Sequence, residues 1–100
     1  MDLSYHKLDP IIHQPARLSI MAALAVTLEV EFIVIRDTIK ISDSLLSRYI
    51  SVLEKAGYIY VRKVFVNKRP KTWLSLTKKG HIAFNKYIQD LESIVSRKSQ

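Results

Sequence analysis

ISDSLLSRYISVLEKAGYIYVRKVFVNKRPKTWLSLTKKG, residues 41 to 80, changes its apolar period halfway along, and that change decides the fold. Up to Ala56 the apolar residues Leu46, Tyr49, Ile50 and Leu53 recur at intervals of three and four, which lines up one stripe on a helix. Ser42 offers an oxygen to the free donors at the helix start, Asp43 complements its positive end, and Gly57 is a natural left-handed stop. The opposite face carries Ser44, Ser47, Arg48, Ser51 and Lys55. Beyond Gly57 the period falls to two: Ile59 and Val61, then with a shift Val64 and Val66, and later Thr72, Leu74 and Leu76 against Trp73 and Ser75. Alternation on both sides of Asn67-Lys68-Arg69-Pro70 predicts a β-hairpin over residues 58–77, with those four residues as its turn.

Working outward, Thr77 caps a final helix over residues 78–98, with Phe84, Tyr87, Ile88, Leu91, Ile94 and Val95 on its stripe. Upstream, Phe32, Ile35 and Ile39 have helical spacing over residues 33–40, although the β-branched run at 33–35 would also suit a strand. Residues 28–32 alternate Glu29 and Glu31 with apolar neighbours and read as a short strand or extended link. Pro15 suits the first turn of a helix over 15–27, whose stripe is Leu18, Met21, Ala22, Ala25 and, further on, Leu28. Residues 1–13 form an arm anchored by Leu8, Ile11 and Ile12 around Pro10. Helix, short strand, helix, tight turn, helix, hairpin, helix is the order of a winged helix-turn-helix. The class is α+β and mostly α, in a single domain over residues 1–100 with the helix-turn-helix at 33–56.

Composition narrows the function. A chain of 100 residues builds one core, and the absence of cysteine excludes disulfide scaffolds, thiolate zinc sites and iron-sulfur clusters. With two glycines there is no phosphate-cradling loop, no nucleophile elbow occurs, and no carboxylates pair on a helix face, so no catalytic site and no cofactor are expected. His6, Asp9 and His13 have metal-like spacing, but Pro10 interrupts their helix and no metal is expected. The longest apolar run, Ile20 to Leu28, is too short to span a bilayer, and MDLSYHKLDP lacks the order of a secretion signal, so a cytoplasmic protein with no membrane partner is expected. The net charge of +7 is regional. Residues 55–89 hold nine basic residues and no acidic one, while the rest holds seven basic and nine acidic. A one-signed segment of that kind suits a polyanion.

The segments LDPIIHQPARLSIMAAL (8–24), ISDSLLSRYISVLEKAGYI (41–59) and VNKRPKTWLSLTKKG (66–80) resemble the small winged-helix DNA-binding regulators related to the MarR group. LEKAGYI followed by a basic wing and LTKKG is the most specific part. The resemblance implies a cytoplasmic homodimer that binds palindromic double-stranded operator DNA and usually represses, with the terminal helices supplying the dimer contact. A small-molecule effector between dimer helices and DNA-binding lobe is compatible with it, but no polar cluster identifies one. On this reading Ser42, Ser44, Ser47, Arg48 and Ser51 form the recognition surface, and Arg48 is placed first because a guanidinium pairs bidentately with guanine. The alternative for Arg48 is a phosphate contact or an internal pair with Asp43 or Glu54. Lys68, Arg69 and Lys71 form the wing's phosphate-binding tip, whereas Arg62, Lys63, Lys78 and Lys79 contribute only to the surrounding field. Leu45 departs from the family's usual small or polar residue; widening of the core stripe is favoured slightly over a thymine-methyl contact. Tyr49 is assigned to packing with a bonded hydroxyl. Phe84, Ile88, Leu91 and Val95 make a dimer seam, with Leu8, Ile11 and Ile12 beside it. A module for RNA or protein contacts in a larger assembly is the alternative, since the fold alone does not fix function.

Overall fold

The computed structural model describes residues 5–96, and the elements follow the expected order. A 3-10 turn (Tyr5–Lys7) precedes α1 (Pro15–Ala25), β1 (Val30–Glu31), α2 (Phe32–Ile39), α3 (Asp43–Lys55), β2 (Ile59–Val66), β3 (Arg69–Leu76) and α4 (Lys78–Val95). The first four positions of the expected arm, and positions 97 and 98 of the expected last helix, lie outside the described residues.

The period of 3.6 yields α2 rather than a strand across the β-branched run, because only Ile35 of that run reaches the core. Pro15 stands in the first turn of α1, where its missing donor is harmless, and the Gln14 side chain accepts from the Arg17 amide at 2.8 Å. Of the expected α1 stripe Met21 is buried and Leu18 packs against the core, but Ala22 is exposed, and Ile20 and Leu24 are buried instead. The reason is that α1 touches α2, α3, α4 and β3, so it is surrounded and no single narrow stripe describes it. Leu28 lies beyond the helix end and is 92% exposed, so it belongs to no core stripe.

The three strands pair antiparallel in the order β1-β3-β2, with Val30 opposite Leu74 and Ile59 opposite Leu76. Val66 faces Arg69 across the turn, which makes the loop only two residues long. Asn67 (φ 52°) and Lys68 (φ 64°) are both left-handed, as a type I′ turn requires. The expected four-residue turn is therefore too long: Arg69 and Pro70 are already in β3. Pro70 opposite Phe65 falls at the non-hydrogen-bonded pair next to the closing one, so its lack of a donor removes no ladder bond.

Where α3 gives way to the hairpin and the hairpin to α4, the chain crosses itself at very close range. Gly57 takes φ 83° and ends α3. Thr77 donates its amide to the Tyr58 carbonyl (3.0 Å) and its hydroxyl to the Gly57 carbonyl (2.5 Å), and its Oγ1 accepts from the Gly80 amide (2.9 Å). Gly80 is buried, and a Cβ there would stand 2.1 Å from the Tyr58 oxygen. The two halves of the motif that the sequence marks as most specific, LEKAGYI and LTKKG, thus meet in space.

The amino-terminal arm belongs to the core. Ile12 is 0% exposed among Ile20, Met21, Leu24, Leu53 and Leu74, and Leu8 is buried with it. Side chains already enclosed by their own chain have no area left for a partner, which corrects the assignment of Leu8 and Ile12 to a dimer seam. The Tyr58 hydroxyl donates to Asp9 (2.5 Å), and the Tyr87 hydroxyl meets His13 Nδ1 (2.7 Å), fastening the arm to the residue before β2 and to α4. Burial, and then the Asp9 carboxylate, push the Tyr58 phenol up to about 12. Ile12→Ala is expected to destabilise the chain by about 2–5 kcal/mol, as truncation in a packed core does. Denaturant melts check it, and a core role requires the loss to be the same at low and high protein concentration.

Candidate nucleic-acid interface

The turn between α2 and α3 is tight because Lys40 takes the left-handed conformation (φ 59°) and returns its amide to the Arg36 carbonyl. Ile41 packs against the core, and the Ser42 hydroxyl accepts from the Leu45 amide at 3.2 Å. Ser42 is therefore occupied as a helix cap. The Arg36 guanidinium reaches Asp37 at 2.8 Å and Asp43 at 3.1 Å, tying α2 to the first residue of α3. That bond holds the Asp37 carboxyl below its usual range and pushes the Arg36 guanidinium up. Arg36 had no signal in the sequence, since seven residues across a turn is not a helical neighbour relation.

The exposed face of α3 presents Ser44, Ser47, Arg48 and Ser51 together, as their spacing predicts. Among the described residues Arg48 makes no ion pair; Asp43, one of its two expected internal partners, is engaged by Arg36 instead. Leu45 is half-buried but stands outside the core cluster, so it does not widen the core stripe as expected. Tyr49 does pack on the core, with its hydroxyl accepting from Gln14 (3.2 Å) and the Arg17 guanidinium 5.6 Å from its ring centre. A cleft of about 640 Å³ separates α3 from the sheet, with Ser47, Ser51 and Glu54 on one side and Val61, Lys63 and Thr72 on the other.

The wing is less uniformly basic than the sequence suggests. Register brings β1 alongside β3, and with it two carboxylates that lie far upstream in the chain. Glu29 takes a bidentate bond from Arg62, both distances 2.8 Å, which holds the Glu29 carboxyl low; the same guanidinium lies over Trp73. Lys71 stands 4.0 Å from the shielded Glu31, and on α4 Lys86 pairs with Asp90 at 2.5 Å. Lys71 is thus a strand residue opposite Val64 with a carboxylate nearby, not part of a free tip. Lys68 in the turn and Arg69 beside it are exposed, and neither makes an ion pair among the described residues. On α4, Phe84, Ile88 and Leu91 are half-buried against the core, as is Ile11 in the arm, while Val95 is 63% exposed.

Among the described residues no group of histidine and carboxylate side chains could hold a metal ion, and no helix is long and apolar enough to cross a membrane.

Known proteins share this arrangement. The family described as a winged helix DNA-binding domain matches residues 16–95. An uncharacterized protein of Methanocaldococcus jannaschii is 28% identical over 81 residues, covering 81% of this chain and 88% of that one. The transcriptional regulator homologue protein from Pyrococcus horikoshii OT3 superposes with a TM-score of 0.82 at 26% identity, over 90% of this chain and 89% of that one. The transcriptional repressor BigR from Xylella fastidiosa shares the fold at a TM-score of 0.62 and 22% identity, over 90% and 81% of the two chains. With its helix-turn-helix, its wing and a family match over four-fifths of its length, the chain belongs to the winged helix DNA-binding domain family.

Proposed function

We propose that the protein is a sequence-specific regulator that binds double-stranded DNA as a homodimer on a palindromic operator and represses transcription by blocking access. The observation that carries this reading is the pairing of an exposed α3 face, with small serines around an Arg48 that makes no ion pair among the described residues, and a wing whose turn presents Lys68 and Arg69. Small side chains allow close approach to base edges, and the cations at the wing hold phosphates on either side of the contact. The exposed end of α4 at Val95, continuing the half-buried Phe84, Ile88 and Leu91, supports an apolar contact with a second copy. It is a protein that recognises and occupies DNA, without chemistry of its own.

The test compares binding to the protein's own upstream DNA, to random duplex and to structured RNA at physiological salt. A preference of roughly a thousandfold or more for one duplex supports the reading. A ratio near one among duplexes, or tighter binding to the RNA, overturns it. Within a preferred site, Arg48→Ala is expected to cost about 1–3 kcal/mol at one base pair and to relax the preference there, as loss of a bidentate guanine contact does. Binding of a single-substitution operator series to both proteins checks this; equal losses at every position would demote Arg48 to a phosphate contact.

A further inference from the structure

Alternation divides the wing into two rows of different chemistry. Successive strand residues point to opposite faces, so Val61, Lys63 and Phe65 share one row on β2, joined by their partners Leu74, Thr72 and Pro70 on β3. The inner end of that row is fixed in direction, because Leu74 is in the core while Val61, Lys63 and Thr72 line the cleft facing α3. Its outer end is Phe65, 77% exposed, opposite Pro70. The other row carries Arg62, Lys71 and Arg69, the first two turned toward Glu29 and Glu31. The recognition-helix side of the wing therefore ends in an aromatic ring rather than in the expected cluster of cations.

A phenylalanine that far from the core contributes little to folding, and it has no group that hydrogen-bonds a base. It can fill space. Its neighbours limit what it fills: Lys68 lies just beyond it at the turn and Lys63 just behind it, so an apolar tip is framed by cations in the manner a phosphate-walled groove requires. We propose that Phe65, backed by Pro70, is an apolar wedge that enters the minor groove beside the half-site read by α3 and presses against one base step. This rests on the DNA-binding reading above. The fixed φ of Pro70 stiffens the strand opposite, and the non-hydrogen-bonded pairing sets the two rings close. Apolar wedges of this kind partly unstack a step and bend the duplex away from the groove, and they favour the pyrimidine–purine steps that deform most readily. Phe65 would then confer sequence preference at a position where no hydrogen bond reads the base.

The probe is a duplex recovered by the wild-type protein from a random pool, labelled at both ends so that energy transfer reports its bend. Phe65→Ala is expected to lower affinity by roughly tenfold, in line with loss of an aromatic contact to a base, and to straighten the DNA. The salt slope should not change, since no phosphate contact is lost; Phe65→Leu should keep most of the bend, and Arg69→Ala should lower the slope. Replacing the flexible step by a stiff A-tract should cost the wild type more than the Phe65→Ala protein. Phe65→Ala binding and bending the duplex like wild type overturns the wedge while leaving the DNA reading intact, and so does a loss confined to the salt slope. If the wild type recovers no preferred duplex, both readings fall together.

Discussion

Gly80→Ala is expected to leave a chain with most of its stability gone. The added Cβ would stand 2.1 Å from the Tyr58 carbonyl oxygen, a backbone atom held in place by its bond from Thr77. No rotamer relieves such a contact, so either α4 or the start of β2 has to move and break the Thr77 bonds. A loss of about 4 kcal/mol or more is expected, a large share of the 5–15 kcal/mol that holds a typical domain together. Gly57→Ala is the comparison. There the crowding atoms belong to the flexible Lys79 side chain, at 3.3 Å and beyond, and the penalty comes from φ 83°, which costs about 1–2 kcal/mol for a residue with a Cβ. Urea melts of the two variants give the difference directly. Near-equal midpoints would mean that the backbones do not approach this closely.

The double substitution Lys68→Ala/Arg69→Ala is expected to have the largest effect on DNA affinity. If each side chain neutralises one phosphate, the slope of log K against log salt falls by about 1.8, which at 0.15 M salt corresponds to roughly thirtyfold weaker binding. Specific and random duplexes should weaken alike, because phosphates carry no sequence. Adding Lys71→Ala should change little, since Glu31 lies 4.0 Å from that ammonium and already offsets it. Titrations at several salt concentrations check both statements. An unchanged slope in the double variant would remove Lys68 and Arg69 from the phosphate contact, and a third full step on losing Lys71 would show that Glu31 leaves it free.

The elements that could be read from the chain are those with a local cause. The switch from a period of 3.6 to a period of two at Gly57 locates both α3 and the hairpin, because one residue ends the helix and alternation starts at once. Ser42 and Thr77 mark helix starts for the same reason: a cap acts within three residues. What the chain conceals depends on register and packing. Nothing in residues 55–89 announces that Glu29 will neutralise Arg62, since that pair is created by β1 lying beside β3. The turn misleads because Pro70 looks like a turn residue, whereas Lys68 accepts a left-handed conformation that its side chain does not advertise. The apolar arm reads as spare surface for a partner until Ile12 is seen inside the core. Of the candidate site, the serine and arginine face of α3 follows from helical spacing alone. The role of Arg36 in holding α3, and the exposure of Phe65 on the recognition-helix side of the wing, need the fold.

The strand order has a consequence for how finished this fold is when it stands alone. β1 reaches β3 only at Trp73 and Leu74, so from Lys71 outward the wing is a bare two-stranded ribbon with both margins open to solvent. A ribbon of that kind is marginally stable by itself, and here most of its outer side chains touch water instead of a third layer. On the DNA-binding reading, the two walls of the groove are that third layer. The duplex is then the outermost course of the protein's own architecture, and the ribbon's outer side chains leave water only when the target is found.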